Sequence, residues 1–226
     1  MADLRFFEIY RNPEYLWLLF QGALVSGLLT IGGGIFGFIA ALFLAAFRHY
    51  RVPVLMHLAT AWVEFIRNTP LIVQMFFIAF GLPLLFGYQW PFWGHALLAL
   101  SVNFSAYFAE ILRAGLASIE TGQGEAADAL GIPRWLSFVK VSLPQAVAAM
   151  YPSLNSQFIF LFLTTGVISE IGVTDLTWAG VYIDSRSFRS FEVFFTLTVI
   201  YVLMSLMFKS ALRLLHDRLF RWKVVR

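Results

Sequence analysis

From Leu16 to Phe47 the chain carries no charged side chain, and this stretch excludes most folds. A helix that is apolar on every side must lie in a very large core or in lipid. A chain of 226 residues offers no such core. Crossing the hydrocarbon of a bilayer takes roughly 20 helical residues, so this run is long enough to span and to tilt or project beyond the lipid. Four more apolar stretches follow, and together they predict spans at about 16–47, 56–86, 94–112, 143–171 and 193–215. The second is interrupted by Glu64, Arg67 and Pro70. The composition agrees: 60% of residues are hydrophobic and 13% charged, with a mean hydropathy of +0.77. The expectation is an all-α, polytopic membrane protein, a single transmembrane domain over residues 1–226. There is no cysteine, which removes disulfides and thiolate metal sites. His49, His57, His95 and His216 are scattered near span ends as interfacial polar residues. No metal site is predicted.

Basic residues orient the chain. Arg48 and Arg51 follow the first span. Arg113, Arg134 and Lys140 follow the third. Lys209, Arg213, Arg218, Arg221, Lys223 and Arg226 close the last. The loop GYQWPFWG between the second and third carries neither Lys nor Arg, and Asp3, Glu8 and Glu14 outnumber Arg5 and Arg11 at the start. The positive-inside rule then predicts an external N-terminus and a cytoplasmic C-terminus.

Between Gly122 and Ala146 the character changes to GQGEAADALGIPRWLSFVKVSLPQA. This reads as two short amphipathic helices joined at Gly131. Glu125 and Asp128 are expected in the first turn of the first helix, where carboxylates suit the positive end of the dipole. Pro133 suits the start of the second, with Trp135, Leu136 and Val139 as its apolar face. Such a segment, about 122–142, cannot span a bilayer, and by the orientation above it is cytoplasmic.

Catalytic constellations are absent from the sequence. Gly32-Gly33-Gly34 lacks the Lys-Ser/Thr of a phosphate-binding loop, and within an apolar span it reads as close helix packing. Polar groups inside spans are more informative, because each is costly in hydrocarbon. Asn103, Tyr107 and Glu110 share one face of the third span. Asn103 fits either a polar solute or a helix–helix hydrogen bond, and Glu110 is expected to pair with Arg113. Ser153, Gln157 and Thr164 lie along one stripe of the fourth span, with Thr165 and Gly166 beside it. Pro144 and Pro152 each remove a backbone donor there. In the second span, Glu64 is placed to pair with Arg67 at i, i+3 next to the helix-breaking Pro70. That arrangement is either a hinge or a static structural pair.

The segment with Glu125-Ala126-Ala127, Gly131 and Leu143-Pro144-Gln145 closely resembles the EAA loop of ATP-binding-cassette importer permeases. Three further stretches, VEFIRNTPLIVQMFFIAFGLP, SAYFAEILRAGLASI and IGVTDLT, are similar to the polar amino acid uptake branch. The resemblance implies a five-span type I importer core in a bacterial inner membrane. It also implies a second permease subunit, paralogous or identical, and two ATPase subunits that bind ATP and Mg. An extracytoplasmic amino acid-binding protein would deliver the cargo, and no cofactor would be held in this chain itself. Glu125, Ala126, Ala127, Asp128 and Gly131 would form the ATPase-docking helix. Asn103, Tyr107, Gln157, Thr164 and Thr165 would lie near the solute path. One departure bears on cargo: where many relatives carry a Lys-Asp-Thr-Ser-like segment, this chain has Leu163-Thr164-Thr165-Gly166. Hydroxyls and backbone dipoles replace the charged pair, so acidic, neutral and basic amino acids all stay open. A self-contained secondary transporter or channel is the alternative, but it calls for mid-membrane carboxylates and an inverted repeat, and the sequence offers neither.

Overall fold

The computed structural model describes residues 4–119 and 121–220, with Thr121 described by its backbone alone. Asp3, Arg221, Lys223 and Arg226, used above for orientation, lie outside the described residues. Those described are helical almost throughout, with no strand among them. In order the helices are α1 (Phe6–Tyr10), α2 (Pro13–His49), α3 (Leu55–Arg67), α4 (Leu71–Phe76) and α5 (Leu82–Phe86), then α6 (Phe92–Ala117), α7 (Thr121–Ala129) and α8 (Arg134–Ser137), and finally α9 (Leu143–Thr164), α10 (Leu176–Ser187) and α11 (Ser190–Leu219). A π-helical turn, Phe77–Gly81, joins α4 to α5, and another, Phe138–Ser142, joins α8 to α9. Four helical runs are long and apolar enough to cross a membrane: Pro13–His49, Phe92–Ala117, Arg134–Ile171 and Ser190–Leu219.

The stretch 56–86 is a broken element, bent by 106° between Leu55–Arg67 and Leu71–Phe86. Pro70 supplies no backbone donor and forces the residue before it out of helical geometry. The one carbonyl it would have served, that of Ile66, finds another donor, and side chains also bond the neighbouring carbonyls at the end of α3. Asn68 Nδ2 donates to the Glu64 carbonyl at 2.8 Å, and Thr69 Oγ1 donates to those of Phe65 and Ile66 at 3.0 and 3.3 Å. The expected Glu64–Arg67 ion pair is not among those formed by the described residues. Glu64 Oε2 instead accepts from Asn68 at 3.4 Å, and the Arg67 guanidinium lies over the Tyr107 ring, 5.8 Å from its centroid. With the helix ending at Arg67, an aromatic face outcompetes a solvent-facing carboxylate one turn back.

The chain forms two compact units. One is built from the chain up to Gly33, Leu71–Leu100 and Ile159–Ser210. Its core gathers Ile9, Leu19, Leu176, Ala179, Ile183, Val193 and Leu197. Gly180 sits so close against Leu197 that a Cβ there would collide with it. A buried Glu192 accepts the Arg5 backbone N–H at 2.9 Å, and Tyr10 pairs with Thr196 at 2.9 Å, fastening α1 to the start of α11. In this unit His95 is not interfacial: it is 2% exposed, boxed in by Tyr88, Trp90 and Phe92. The aromatic loop before α6 folds over it.

The other unit is built from Gly34–Pro70, Ser101–Phe158 and the chain from Ala211. Phe104, Phe108 and Leu112 of α6 are buried in it with Val63 and Ile66 of α3 and Ala41 and Ala45 of α2. Small residues permit the approach of its helices. A Cβ on Gly115 would lie 2.8 Å from the Ala146 carbonyl oxygen. Gly32 and Gly33 in the first unit press on Leu97 and Leu100, and Gly34 in the second on Phe158, so the glycine run is a packing surface.

Candidate functional site

Two groups of residues with functional character lie in the second unit. The first is the segment from α7 to α8. Glu125 and Asp128 lie in the second turn of α7, not the first, because the helix begins at Thr121. Their carboxylates therefore gain little from the dipole, which falls off within one turn. They stand on an exposed face with Ala126 and Ala129, and Ala127 alone of the EAA residues is buried, at 3% exposed. Gly131 adopts φ +68°. Its N–H donates to the Asp128 carbonyl at 3.0 Å, and the Ile132 N–H donates to that of Ala127 at 3.0 Å. This left-handed stop is a Schellman turn, which glycine enters without steric cost. Pro133 stands immediately before α8 as its N-cap. Leu130 and Trp135 project outward, 77% and 67% exposed, and Val139 is also exposed. Of the apolar face expected there, Trp135 and Val139 are thus presented outward, while Leu136 is half-buried.

The segment is held from behind by the end of α2. Tyr50 Oη donates to the Arg134 carbonyl at 2.8 Å. The His49 and Tyr50 rings lie 6.1 and 5.8 Å from that of Phe138, which is buried. Burial, with the nearby Asp128 carboxylate, holds the Tyr50 phenol above its ordinary value against the opposing Arg134 charge, so it remains a donor at neutral pH. One turn back, Arg48 Nη1 meets Glu110 Oε2 at 2.9 Å, and Arg113 Nε donates to Glu110 Oε1 at 2.8 Å. The expected Glu110–Arg113 pair is therefore formed, but Glu110 is shared with an arginine from another helix.

The second group continues from Glu110 along α6. Tyr107 lies one turn away beneath Arg67, and Asn103 lies one turn further, 4% exposed. On α9, Gln157 Nε2 is buried with no hydrogen-bond partner among the described residues, a donor whose desolvation none of them offsets. Thr164 and Thr165 belong to the other unit. Their hydroxyls donate within the helix, to the Leu161 and Phe162 carbonyls at 2.8 and 2.7 Å. Only their acceptor capacity is left. The helix narrows to 3₁₀ geometry from Thr165 to Ile171. Close by, Thr177 and Tyr201 share a hydrogen bond of 2.8 Å, and a Cβ on Gly166 would meet both hydroxyls at 3.0 and 3.2 Å. Sequence reasoning singled out neither Tyr201 nor Arg48, since both act across helices distant in the chain. Among the described residues, no group of three or more His, Cys, Asp or Glu is placed to hold a metal ion.

Helices long and apolar enough to cross a membrane, one stretch broken at a proline, and an exposed helix–Gly–helix segment are the features of a polytopic membrane component. The sequence matches the family described as "Binding-protein-dependent transport system inner membrane component" over residues 19–221, and the chain belongs to that family. It is 34% identical over 204 residues to the glutamine transport system permease protein GlnP of Escherichia coli K12, covering 89% of this chain and 93% of the relative. It is 32% identical over 192 residues to the L-cystine transport system permease protein TcyL of Bacillus subtilis 168, covering 82% of this chain and 80% of the relative. Among solved structures it is similar to a chain of "an amino acid ABC transporter with histidines", at 32% identity and a TM-score of 0.82 over 96% of this chain and 100% of that one. A chain of the MetNI methionine ABC transporter, 21% identical, shares the fold at a TM-score of 0.78.

Proposed function

We propose that this chain is the permease subunit of an ATP-driven amino acid importer and that α7 with Gly131 is the surface on which a separate ATPase docks. The observation that carries the docking assignment is the α7–α8 segment itself, with its carboxylates, Leu130 and Trp135 facing outward, while Ala127 of α7 and Ser137 of α8 are turned in. Motion imposed there has a contiguous physical route inward. Tyr50 and Phe138 join the segment to the end of α2, and Arg48 joins α2 to Glu110 on the helix that carries Tyr107 and Asn103. Asn103, Tyr107 and Gln157 are assigned to the solute path, with Gln157's unpartnered amide as a donor for a zwitterionic cargo. Thr164 and Thr165 are assigned to the path as acceptors. Glu64, Arg67 and Pro70 mark the hinge of the broken span. A second permease subunit, a paralogue or an identical chain, completes the pathway, and an amino acid-binding protein delivers cargo from outside. The N-terminus is external and the α7–α8 segment cytoplasmic.

Reconstitution with the ATPase and binding protein tests this. Glu125→Lys and Gly131→Val should abolish ATP-dependent uptake and release the ATPase. Asn103→Leu should reduce uptake at least tenfold, roughly the loss of one good buried hydrogen bond, while the ATPase stays bound. Uptake that persists without ATP, or ignores changes at Glu125 and Gly131, refutes the docking assignment. Wild-type flux in Asn103→Leu removes that residue from the path.

A further inference from the structure

Within the second unit, away from the docking segment, α2, α6, α9 and α11 enclose a cavity of about 360 Å³. Its walls include Phe38, Phe108, Val147, Leu154 and Leu212, and every atom surface facing the space is carbon. It opens between Ile35 and Ile39 of α2 and Leu215 and Leu219 of α11, all of them exposed. At its α11 end the His216 ring stacks on Tyr151, with centroids 4.0 Å apart, and Phe220 follows at 5.2 Å. The Tyr151 hydroxyl and Asn155 Oδ1 are buried there without hydrogen-bond partners among the described residues. Arg213 and Asp217 are near enough for their charges to act on Tyr151.

We propose that this cavity holds an acyl chain of an anionic phospholipid, with the lipid phosphate at the basic end of α11. The four enclosing helices belong to runs that cross a membrane, so the mouth opens toward hydrocarbon. Water would find no partner on carbon walls. A protein helix, about 10 Å across, is too thick for the space. The volume lies at the small end of ligand pockets, about 300–1,000 Å³, and an alkyl chain is the apolar occupant that a bilayer supplies.

Charge selects the head group. In the last three turns of α11 the exposed Lys209, Arg213 and Arg218 stand against one carboxylate, that of Asp217. A basic cluster at the end of a span attracts anionic lipid. The site is independent of which cargo the chain moves.

The test is lipid retention by the full chain purified in mild detergent, read by native mass spectrometry after exchange into equimolar phosphatidylglycerol and phosphatidylcholine. The wild type should keep one phospholipid, with phosphatidylglycerol preferred by about thirtyfold, as two arginines near a lipid surface supply. Val147→Phe, which fills the cavity, and Ile39→Trp, which closes its mouth at a position tolerant of bulk, should lose it. Arg213→Gln with Arg218→Gln should keep a lipid but lose the preference. Leu203→Trp, on the exposed face of α11 outside the cavity, should behave as wild type. If Ile39→Trp with an unchanged melting temperature retains lipid like the wild type, the cavity is not the site. If the wild type holds both lipids equally, the head-group assignment fails.

Discussion

Asp175 shows how one side chain can be held between opposing demands. Its Oδ1 accepts the Trp178 N–H at 2.8 Å and so caps α10, a role that favours a carboxylate. The residue is also 0% exposed, and its Oδ2 has no partner. Burial wins over the backbone hydrogen bonds and raises the carboxyl from 3.8 to about 6. The folded chain therefore holds this proton more tightly than the unfolded chain. Between about pH 4 and pH 6 the folded state binds more protons, so stability is highest below that window and falls as pH rises through it. The expected loss approaches about 3 kcal/mol, read as a melting temperature that drops from pH 4 to pH 7. Asp175→Asn keeps an acceptor for Trp178 and should flatten that dependence; an unchanged slope would assign it to another group. The capping pattern was within reach of the sequence IGVTDLT. Its tight surroundings were not. Ser26 Oγ accepts the Leu176 N–H at 3.2 Å, and a Cβ on Gly22 would lie 2.6 Å from the Asp175 carbonyl oxygen. Both come from α2, far away in the chain.

Glu110 ties elements together, and here local reasoning went only part of the way. An i, i+3 pair with Arg113 follows from helical spacing. Arg48 arrives from the end of α2, and no periodicity reports that. The cross-helix bond is the stronger constraint, since Arg48 is the more enclosed arginine, its side chain 12% exposed against 46% for Arg113. Glu110→Gln should cost about 1.5–3 kcal/mol, the range for hydrogen bonds to charged groups. It should also lower the amino acid moved per ATP hydrolysed, because α2 and α6 would no longer move as a pair. A double-mutant cycle of Arg48→Ala and Glu110→Ala, measured on the uptake-to-hydrolysis ratio, separates the bond from its parts. Additive effects would show that the two helices are not coupled through it. The broken span illustrates the same limit. Pro70 marked the place of the break, but not the contacts that close the end of α3, where Asn68 and Thr69 bond its last carbonyls and the Tyr107 ring lies under Arg67.

For the chain as a whole, hydropathy was the most legible property, because lipid demands long apolar runs and permits almost nothing else. The exposed EAA segment was legible for the opposite reason, as a polar passage that no bilayer would accept. The cavity between α2 and α11 was invisible, since its walls are ordinary apolar residues whose spacing does not reveal a gap. The proposed sidedness rests on the placement of Lys and Arg, and the absence of cysteine makes it directly measurable, because every introduced thiol is the only one. Gln89→Cys, in the exposed loop before α6, should react with a membrane-impermeant maleimide on intact cells. Ala126→Cys, on the outward face of α7, should react only after the membrane is opened. Adding the ATPase should then protect Ala126→Cys and leave Gln89→Cys unchanged. Reversed labelling would invert the topology and place the EAA segment where no ATP is available. Correct sidedness without protection would leave the orientation standing but move the docking surface off α7.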